Sequence, residues 1–427
     1  MSKSFACKSS FVTGLTLALA IAAAVQAQDL KREGRWFVTE IKKSFPAGAG
    51  GVLEMRNVNG EITVQAWAQN SVEIIETLRM EVFTEEEARR VREASEASYS
   101  QSGNRIVVEG RERSRRSVDS YFKVNVPATF GLDLNTSGGD LSVYRVKGTT
   151  NLRTSGGNID LIETGGSVRA STSGGNVTVR DAEGDLIVKT SGGDLELERV
   201  KGTLDAKTSG GNITLHVASK SVDLSTSGGD IEILDVEGNV NARTSGGNVE
   251  VENTRGRVEV STSGGDLILR DIKGEIDGVT SGGDIRAERL HAPGRLATSG
   301  GDVIVRELMA SLDAATSGGN VEVEMTLTDF KKPHLLTLSS SGGDLDLVIP
   351  EKLPARIYAE IYLDSRWSWG ERYDISSDFP LKIERGEGES ERRGGKYIRG
   401  EGDINGGGDA ITLKTSAGNI SIRKLAR

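Results

Sequence analysis

One Asp or Asn recurs every 18 residues along the middle of this 427-residue chain. Three consecutive members of the series are the aspartates Asp266, Asp284 and Asp302. Carboxylates stacked about one strand spacing (~4.8 Å) apart repel one another unless a proton, a basic neighbour or a cation intervenes. The main interpretation is a row of solvated turn acids. The alternative is a weak divalent-cation site at these three aspartates, with calcium as the only cofactor candidate.

Side chains that commonly carry out catalysis are few and scattered. His216, His291 and His334 occur in different repeats or in an insertion, without a recurring acidic or serine partner, and each is expected at the surface. The single cysteine, Cys7, leaves with the N-terminal leader, so the mature chain has no thiol nucleophile and no disulfide. The acids fill outward positions in almost every repeat instead of converging in a cleft. We therefore predict that the protein has no catalytic residues and is not an enzyme.

The elements that hold these side chains form a strict repeat. Thr-Ser-Gly-Gly followed by Asp or Asn begins eleven times between Thr136 and Thr316, and every step is 18 residues. Between the motifs, apolar residues such as Leu195 and Leu197 alternate with acids, which is the period of a half-buried strand. Eighteen residues cannot hold two strands and a helical crossover, so each coil must stack on the last. The pattern predicts an all-β fold, a parallel β-solenoid (β-helix) of 18-residue coils.

The paired glycines of the motif have a structural interpretation. Glycine is favoured where a turn needs positive φ or where two backbones approach closely. A phosphate-binding loop would also need a following helix and a lysine, and neither follows the motif here. We expect these glycines to form the corners of the coils.

The N-terminus has the order of a secretory leader. Lys3 and Lys8 precede the apolar segment Phe11–Val25. That segment is shorter than the roughly 20 residues needed to cross a bilayer. Cleavage is expected after Ala27. The protein is therefore predicted to be exported, to the periplasm or the cell surface, with no integral membrane segment left after cleavage.

The regions before and after the repeats differ from the repeats themselves. Thr84 and Glu87 have the spacing of a capping box, which predicts one short helix before the first repeat. Trp367 and Trp369 lie close together after the last repeat, where the main interpretation is capping structure and the alternative is an aromatic ligand shelf. The expected organisation is a signal peptide over 1–27, a β-rich N-terminal region over 28–130 with a helix near 84–97, regular solenoid repeats over 131–328, and irregular C-terminal coils with a cap over 329–427.

The net charge limits the class of partner. The chain carries a formal charge of −9 at pH 7. The charge becomes about −11 once the two leader lysines are removed, whereas nucleic-acid binding usually needs a basic face. The expected partner is a protein or a glycan at the cell envelope and not nucleic acid. Each end of a solenoid is a row of strand edges, so incomplete caps would also allow self-association through the ends.

Several segments resemble a recognised bacterial family. They are the Thr-Ser-Gly-Gly corners and the runs VNGEITVQAW (Val58–Trp67), YFKVNVP (Tyr121–Pro127), DLDLVIP (Asp344–Pro350) and GGGDAITLKTSAGNISI (Gly406–Ile422). In these segments, which cover most of the mature chain, the protein resembles the bacterial putative-adhesin family of β-strand-repeat, domain-of-unknown-function proteins. The resemblance implies a parallel β-solenoid in an exported protein, and it transfers no catalytic residue.

Fold, charge and resemblance together predict a non-catalytic, exported binding or adhesin-like repeat protein of the cell envelope. The alternative is a periplasmic structural scaffold or envelope-signalling partner with no adhesive role. The residues that contact the partner are not identified by any motif in the sequence.

Overall fold

Almost every element of the fold is a β-strand. The computed structural model describes residues 26–27, 30–111, 118–363, 373–388 and 395–426. Within them, parallel strands stack into two long sheets, here called sheet A and sheet B, which share one continuous apolar core. The predicted fold class, an all-β parallel β-solenoid of 18-residue coils, is confirmed.

The N-terminal region extends both sheets with antiparallel strands. Its strands are β1 (Gln26–Ala27), β2 (Lys31–Glu33), β3 (Trp36–Pro46), β4 (Val52–Val58), β5 (Glu61–Trp67), β6 (Ser71–Glu81), β7 (Ser98–Ser102), β8 (Arg105–Glu109) and β9 (Val118–Pro127). In sheet A, the antiparallel strands β3, β6 and β9 reach the first coil through β5, and in sheet B the β7–β8 hairpin reaches it through β4. The predicted signal peptide lies outside the described residues except for β1, which pairs with β3.

The predicted helix is present as α1 (Glu85–Ser95), and it has the predicted N-cap. The Thr84 Oγ1 accepts a hydrogen bond from the Glu87 N–H at 3.2 Å. The Glu87 carboxylate accepts one from the Phe83 N–H at 3.4 Å. Ala88 is buried against Met80 of β6, so the helix covers part of sheet A. Among the described residues, no helix is long and apolar enough to cross a membrane.

Each regular coil contributes one strand to sheet A and one to sheet B. The sheet A strands are β11 (Leu141–Tyr144), β13 (Ile159–Thr164), β15 (Val177–Ala182), β17 (Leu195–Val200), β19 (Ile213–Ala218), β21 (Ile231–Val236), β23 (Val249–Thr254), β25 (Leu267–Ile272), β27 (Ile285–Leu290), β29 (Val303–Leu308) and β31 (Val321–Met325). The sheet B strands are β10 (Gly131–Thr136), β12 (Thr150–Arg153), β14 (Val168–Ser171), β16 (Leu186–Lys189), β18 (Leu204–Lys207), β20 (Val222–Ser225), β22 (Val240–Arg243), β24 (Val258–Ser261), β26 (Ile276–Val279), β28 (Gly294–Ala297) and β30 (Leu312–Thr316).

Strands of successive coils pair parallel and one repeat apart. Leu195 of β17 pairs with Ile213 of β19, and Leu204 of β18 pairs with Val222 of β20. Because the register equals the 18-residue repeat, each inward side chain lies beside its equivalent in the next coil. The apolar positions therefore form continuous ladders, and burying them is the main stabilising contribution of the fold.

One residue at or just after the end of each sheet A strand from β11 to β29 has left-handed backbone conformation, although none of these residues is glycine. Burial in β13 falls on Ile159, Leu161 and Thr164, which are positions one, three and six. The left-handed residue at position five rotates the chain so that position six again faces the core. Val217 is the one β-branched member, for which this conformation is strained. The series, with φ between 53° and 64°, is Arg145, Glu163, Asp181, Arg199, Val217, Asp235, Asn253, Asp271, Arg289 and Glu307.

The motif glycines are required because the backbones of neighbouring coils approach closely, and not because the turn needs positive φ. One of the two explanations expected from the sequence therefore applies. None of these glycines has positive φ. A Cβ on Gly229, the second glycine of its pair, would lie 2.0 Å from the Gly211 carbonyl oxygen of the preceding coil. A Cβ on Gly228, the first glycine, would lie 3.6 Å from the nearest atom, which is ordinary contact. The second glycine is sterically required at every corner, whereas a Cβ on the first glycine meets its nearest atom at 3.6 Å at Gly228 and at 3.3 Å at Gly300.

The C-terminal cap departs from sequence order. Its strands are β32 (Leu336–Ser340), β33 (Leu345–Ile349), β34 (Ala355–Leu363), β35 (Ile375–Ser377), β36 (Lys382–Gly388), β37 (Gly395–Ile404), β38 (Asp409–Thr415) and β39 (Ile420–Lys424). In sheet B, β38 lies between β32 and β34, and in sheet A, β39 lies between β33 and β35. The antiparallel strands β34, β37 and β36 then end sheet B.

Candidate functional site

The threonine of each corner motif bridges two coils. Thr172 is buried, and its hydroxyl donates to the Gly157 carbonyl oxygen of the preceding coil at 2.8 Å. The Thr172 hydroxyl oxygen also accepts a hydrogen bond from the Gly175 N–H of its own corner at 3.3 Å. This pair of bonds recurs from Thr154 to Thr316, so the proton of each buried hydroxyl is already donated to the neighbouring coil.

The Asp or Asn of each corner forms a second ladder. The Asn176 Oδ1 accepts from the Asp194 N–H at 2.8 Å, and the Asp194 Oδ1 accepts from the Asn212 N–H at 2.7 Å. Asp and Asn both carry this acceptor oxygen, which explains why they alternate without a pattern along the series. The repeated motif is therefore a structural corner whose polar atoms link one coil to the next.

The structure brings Asp266, Asp284 and Asp302 into one row, as predicted. The Asp266 Oδ1 accepts from the Asp284 N–H at 2.8 Å, and the Asp284 Oδ1 accepts from the Asp302 N–H at 2.9 Å. Arg286 then lies 3.1 Å from the Asp266 Oδ2 and 2.7 Å from the Asp284 Oδ2. A basic neighbour thus relieves the repulsion between two of the carboxylates.

A cation site at this row stays a prediction. In the part of the chain that the structure describes, no group of three or more His, Cys, Asp or Glu side chains is arranged to hold a metal ion. Calorimetric titration of the mature chain with calcium tests the site. Asp284→Asn is the matched control, because it removes the charge and retains the acceptor oxygen.

The outward faces carry ion pairs between neighbouring coils. Arg199 lies 2.6 Å from Asp181, and Arg289 lies 2.9 Å from Asp271, in each case one repeat apart. Hydrogen bonds from these guanidinium groups lower the pKa of both carboxyls below the usual range. Such pairs leave a surface that carries charges of both signs, and each exposed pair contributes little to stability.

A buried carboxylate anchors the N-terminal helix. Glu76 of β6 is 1 % exposed, and it accepts hydrogen bonds from the Tyr99 hydroxyl at 2.6 Å and from the Ala97 N–H at 3.2 Å. Burial and the neighbouring Glu76 raise the pKa of Tyr99 far above its ordinary range. These bonds tie the chain that leaves α1 to sheet A, so this carboxylate has a structural role.

His334 is not at the surface, which corrects the expectation from sequence. It is 3 % exposed, whereas His291 is exposed and the His216 side chain is 45 % exposed. The His334 Nδ1 lies 2.8 Å from the Lys332 carbonyl oxygen and its Nε2 lies 2.8 Å from the Pro354 carbonyl oxygen. The only signal in the sequence was its place in the insertion that breaks the period.

Aromatic and cationic side chains gather on the outer face of the cap, a feature that the sequence pattern missed. The Arg399 guanidinium lies 4.6 Å from the Tyr397 ring centre and 5.5 Å from that of Tyr358, and the Lys414 ammonium lies 5.6 Å from the Tyr358 ring. Burial and a hydrogen bond to Glu360 raise the pKa of Tyr358. Trp367 and Trp369, interpreted from the sequence as capping structure with an aromatic ligand shelf as the alternative, lie outside the described residues.

Comparison with known proteins identifies a family whose model matches most of the chain. The family model described as Toastrack DUF4097 matches residues 59–269 and 239–423. A solved protein of Bacteroides fragilis, described as a putative adhesin, is 14 % identical over 73 % of this chain and 97 % of its own, with a TM-score of 0.24. A solved protein of Clostridium sporogenes, described as a putative cell adhesion protein, is 7 % identical over 95 % and 100 %, with a TM-score of 0.16. No curated protein matches the chain.

Proposed function

The chain belongs to the Toastrack DUF4097 family, and we propose that it is an exported, non-catalytic binding protein of the cell envelope. One observation carries the proposal: the polar groups of the repeated motif are used in bonds between coils, as in the Thr172 and Asp194 ladders. A motif whose repeated polar groups all bond between coils supplies a frame, and the side chains left for a partner are those on the two outer faces.

The outer face of sheet B offers an ordered surface for such a partner. One column carries mostly acids and amides, including Asp205, Asp223 and Glu259, and the next column carries Lys207 and Arg243. Ion pairs cross between the columns, as between Lys207 and Asp205 at 2.8 Å. A face of this kind suits a protein or a glycan with polar groups of both signs, whereas the negative net charge disfavours nucleic acid.

An adhesin-like role at the surface is the finer form of this proposal, and a periplasmic scaffold is its rival. The descriptions of the two solved proteins name adhesion, but their TM-scores are too low for them to support it. Cell fractionation combined with protease shaving of intact cells separates the two roles. Digestion from outside supports the surface role. Protection in intact cells with release on osmotic shock overturns it and leaves the periplasmic scaffold.

Binding itself is tested with the purified mature chain on arrays of glycans and envelope proteins. The matched variant is Lys207→Glu with Arg243→Glu, which reverses the charge of two of the four cations that the regular coils place in one column of the sheet B face, without touching the core. We expect binding to be retained by the wild type and lost or weakened at least tenfold by the variant. Equal binding by both would show that this face is not the contact surface.

A further inference from the structure

We infer that the protein associates head to tail, with Phe83 of one copy seated in an apolar cleft at the C-terminal end of the next copy. The Phe83 side chain is 91 % exposed, whereas the other exposed large hydrophobic residues of the described chain reach at most 49 %. Aromatic side chains are enriched at protein interfaces, where they contribute much of the buried apolar area. This ring is therefore the anchor that a partner would bury.

The local structure around α1 does not use the Phe83 ring. Phe83 precedes the N-cap Thr84, and a hydrophobic residue at that position often packs on the fourth residue of the helix. The fourth residue here is Ala88, which is instead buried in a cluster with Met80. The Phe83 N–H bonds to the Glu87 carboxylate, which holds the residue at the start of the helix while its ring faces solvent.

The cleft lies at the C-terminal end of the sheets, where three segments meet. The insertion that breaks the period supplies Phe330, the turn after β33 supplies Pro350, and the tail after β39 supplies Leu425. The Leu425 N–H donates to the Ile349 carbonyl oxygen at 2.9 Å, which holds the tail against that turn. The apolar residues of the lining are Leu327, Phe330, Pro350, Leu425 and Ala426.

The cleft has room for one phenyl ring. Its volume is about 260 Å³. A cavity of about 150 Å³ is enough to bind benzene. Both Phe330 and Leu425 are half-buried, so their side chains present apolar surface to an incoming ring.

The surroundings of Phe83 are acidic. Three consecutive glutamates, Glu85–Glu87, form the first turn of α1. Two nearby arginines are already paired, Arg35 with Glu81 and Arg89 with Glu85. The ring is therefore presented beside an excess of negative charge.

The rim of the cleft is basic. Lys352 lines the cleft, and Glu351 beside it is paired with Lys424. The exposed charged residues of the insertion and of the turn after β33 are Asp329, Lys331, Lys332, Glu351 and Lys352. Opposite charge around the ring and around the cleft steers the two together and disfavours other pairings of the same surfaces.

The contact is heterologous, because the ring and the cleft are different patches of the surface. A copy whose Phe83 is seated in a neighbour still presents its own cleft to a third copy. The product is an open chain of molecules and not a closed dimer. One ring and a few exposed charges give weak association, since joining two molecules costs translational and rotational freedom. Added salt should weaken it further.

Sedimentation velocity of the full mature chain over a concentration series tests this association. The average mass of the wild type should rise past that of a dimer, and Phe83→Ser and Ala426→Trp should each weaken association at least about tenfold. Ala426 is an exposed residue of the cleft, so the tryptophan fills the cleft without entering the core. Tyr362→Ser removes another exposed ring and should associate like the wild type. A monomeric wild type, or a Phe83→Ser variant that associates as the wild type does, overturns the inference.

A mixture of the two single variants is the sharper test. The Phe83→Ser copy keeps its cleft and the Ala426→Trp copy keeps its ring, so together they complete one contact. We expect the mixture to form a 1:1 dimer and nothing larger, while each variant alone stays monomeric. No dimer in the mixture, with both variants folded by circular dichroism, overturns the inference. Thr328→Trp, at another exposed residue of the cleft, replaces Ala426→Trp if that variant does not fold.

Discussion

The corners of the regular repeats and of the C-terminal cap are built from the same bonds. In a regular corner, the Thr226 hydroxyl donates to the Gly211 carbonyl at 2.9 Å and accepts from the Gly229 N–H at 3.4 Å. In the cap, Ser340 makes the equivalent bonds to Gly319 and Gly343, each at 2.8 Å. The corner therefore needs a hydroxyl and not the threonine methyl group.

The two regions differ in how many equivalent interfaces each contains. A regular coil meets equivalent coils on both sides, so a change at one corner weakens one interface among many like it. The cap places β38 between β32 and β34 and relies on single contacts such as those of His334. Periodic regions thus distribute their stability, whereas the cap concentrates it in residues that occur once.

The largest expected effect comes from the corner glycines. Gly229→Ala would place a methyl group 2.0 Å from the Gly211 carbonyl oxygen, so the coils must separate. We expect a loss of at least about 3 kcal/mol in the free energy of unfolding, measured by urea denaturation.

Gly228→Ala is the matched control for this glycine, since its Cβ would lie 3.6 Å from the nearest atom. We expect a change of less than about 1 kcal/mol. The chain supplies its own example, because the last corner carries Ala417 in the first position and keeps Gly418 in the second. Equal losses for Gly228→Ala and Gly229→Ala would contradict the close-approach explanation.

Removing the corner hydroxyl tests whether the corners of the repeats and of the cap depend on the same hydrogen bonds. Thr226→Val and Ser340→Ala each delete the hydroxyl with little change in shape and leave a buried carbonyl without its donor. We expect each to cost about 2 kcal/mol in urea denaturation. Thr226→Ser should lower the free energy of unfolding by less, since the Ser340 hydroxyl makes the same two hydrogen bonds in the cap. A much larger loss for Ser340→Ala would show that the cap corner also depends on contacts that the repeats lack.

The left-handed position offers a gain in stability. Val217 is β-branched at φ 64°, and asparagine tolerates this conformation far better. Val217→Asn should therefore stabilise the protein by about 1 kcal/mol. Asn253→Val, at the equivalent position two coils later, should destabilise it by a similar amount or more, because Asn253 also donates to Asp235. A loss on Val217→Asn would mean that the valine makes a packing contact worth more than the strain.

The smallest expected effect is the contribution of a surface ion pair to stability, and the loss of that contribution at low pH. The hydrogen bond from Arg289 lowers the pKa of Asp271, so this pair stabilises the fold above about pH 3.9, the value for an unfolded Asp. The contribution is lost as pH falls through the lower folded pKa. Asp271→Asn should lower the urea midpoint slightly at pH 6 and by less as the pH falls through the folded pKa of Asp271. A large effect at pH 6 would show that such pairs matter more than their exposure allows.

The N-terminal helix and the repeats were predictable because their signals are local. The spacing of Thr84 and Glu87 is enough to start a helix, and the observed N-cap bond uses those two residues. The row of Asp266, Asp284 and Asp302 was predictable for the same reason, since a fixed period places equivalent side chains one strand apart. The ion pairs that Arg286 makes with Asp266 and Asp284 were not predictable from the sequence, because Arg286 reaches the row across the face of the sheet.

The sequence by itself determined the stacking of coils, the register of their strands and the close packing of their corners, because a period of 18 residues repeats the same local information in every coil. Only the tertiary structure decided that Val217 and its equivalents adopt a left-handed conformation, that β38 lies between β32 and β34, and that His334 is buried. The last two depend on contacts between segments distant in the chain that occur once. A repeating pattern carries no information about contacts that do not repeat.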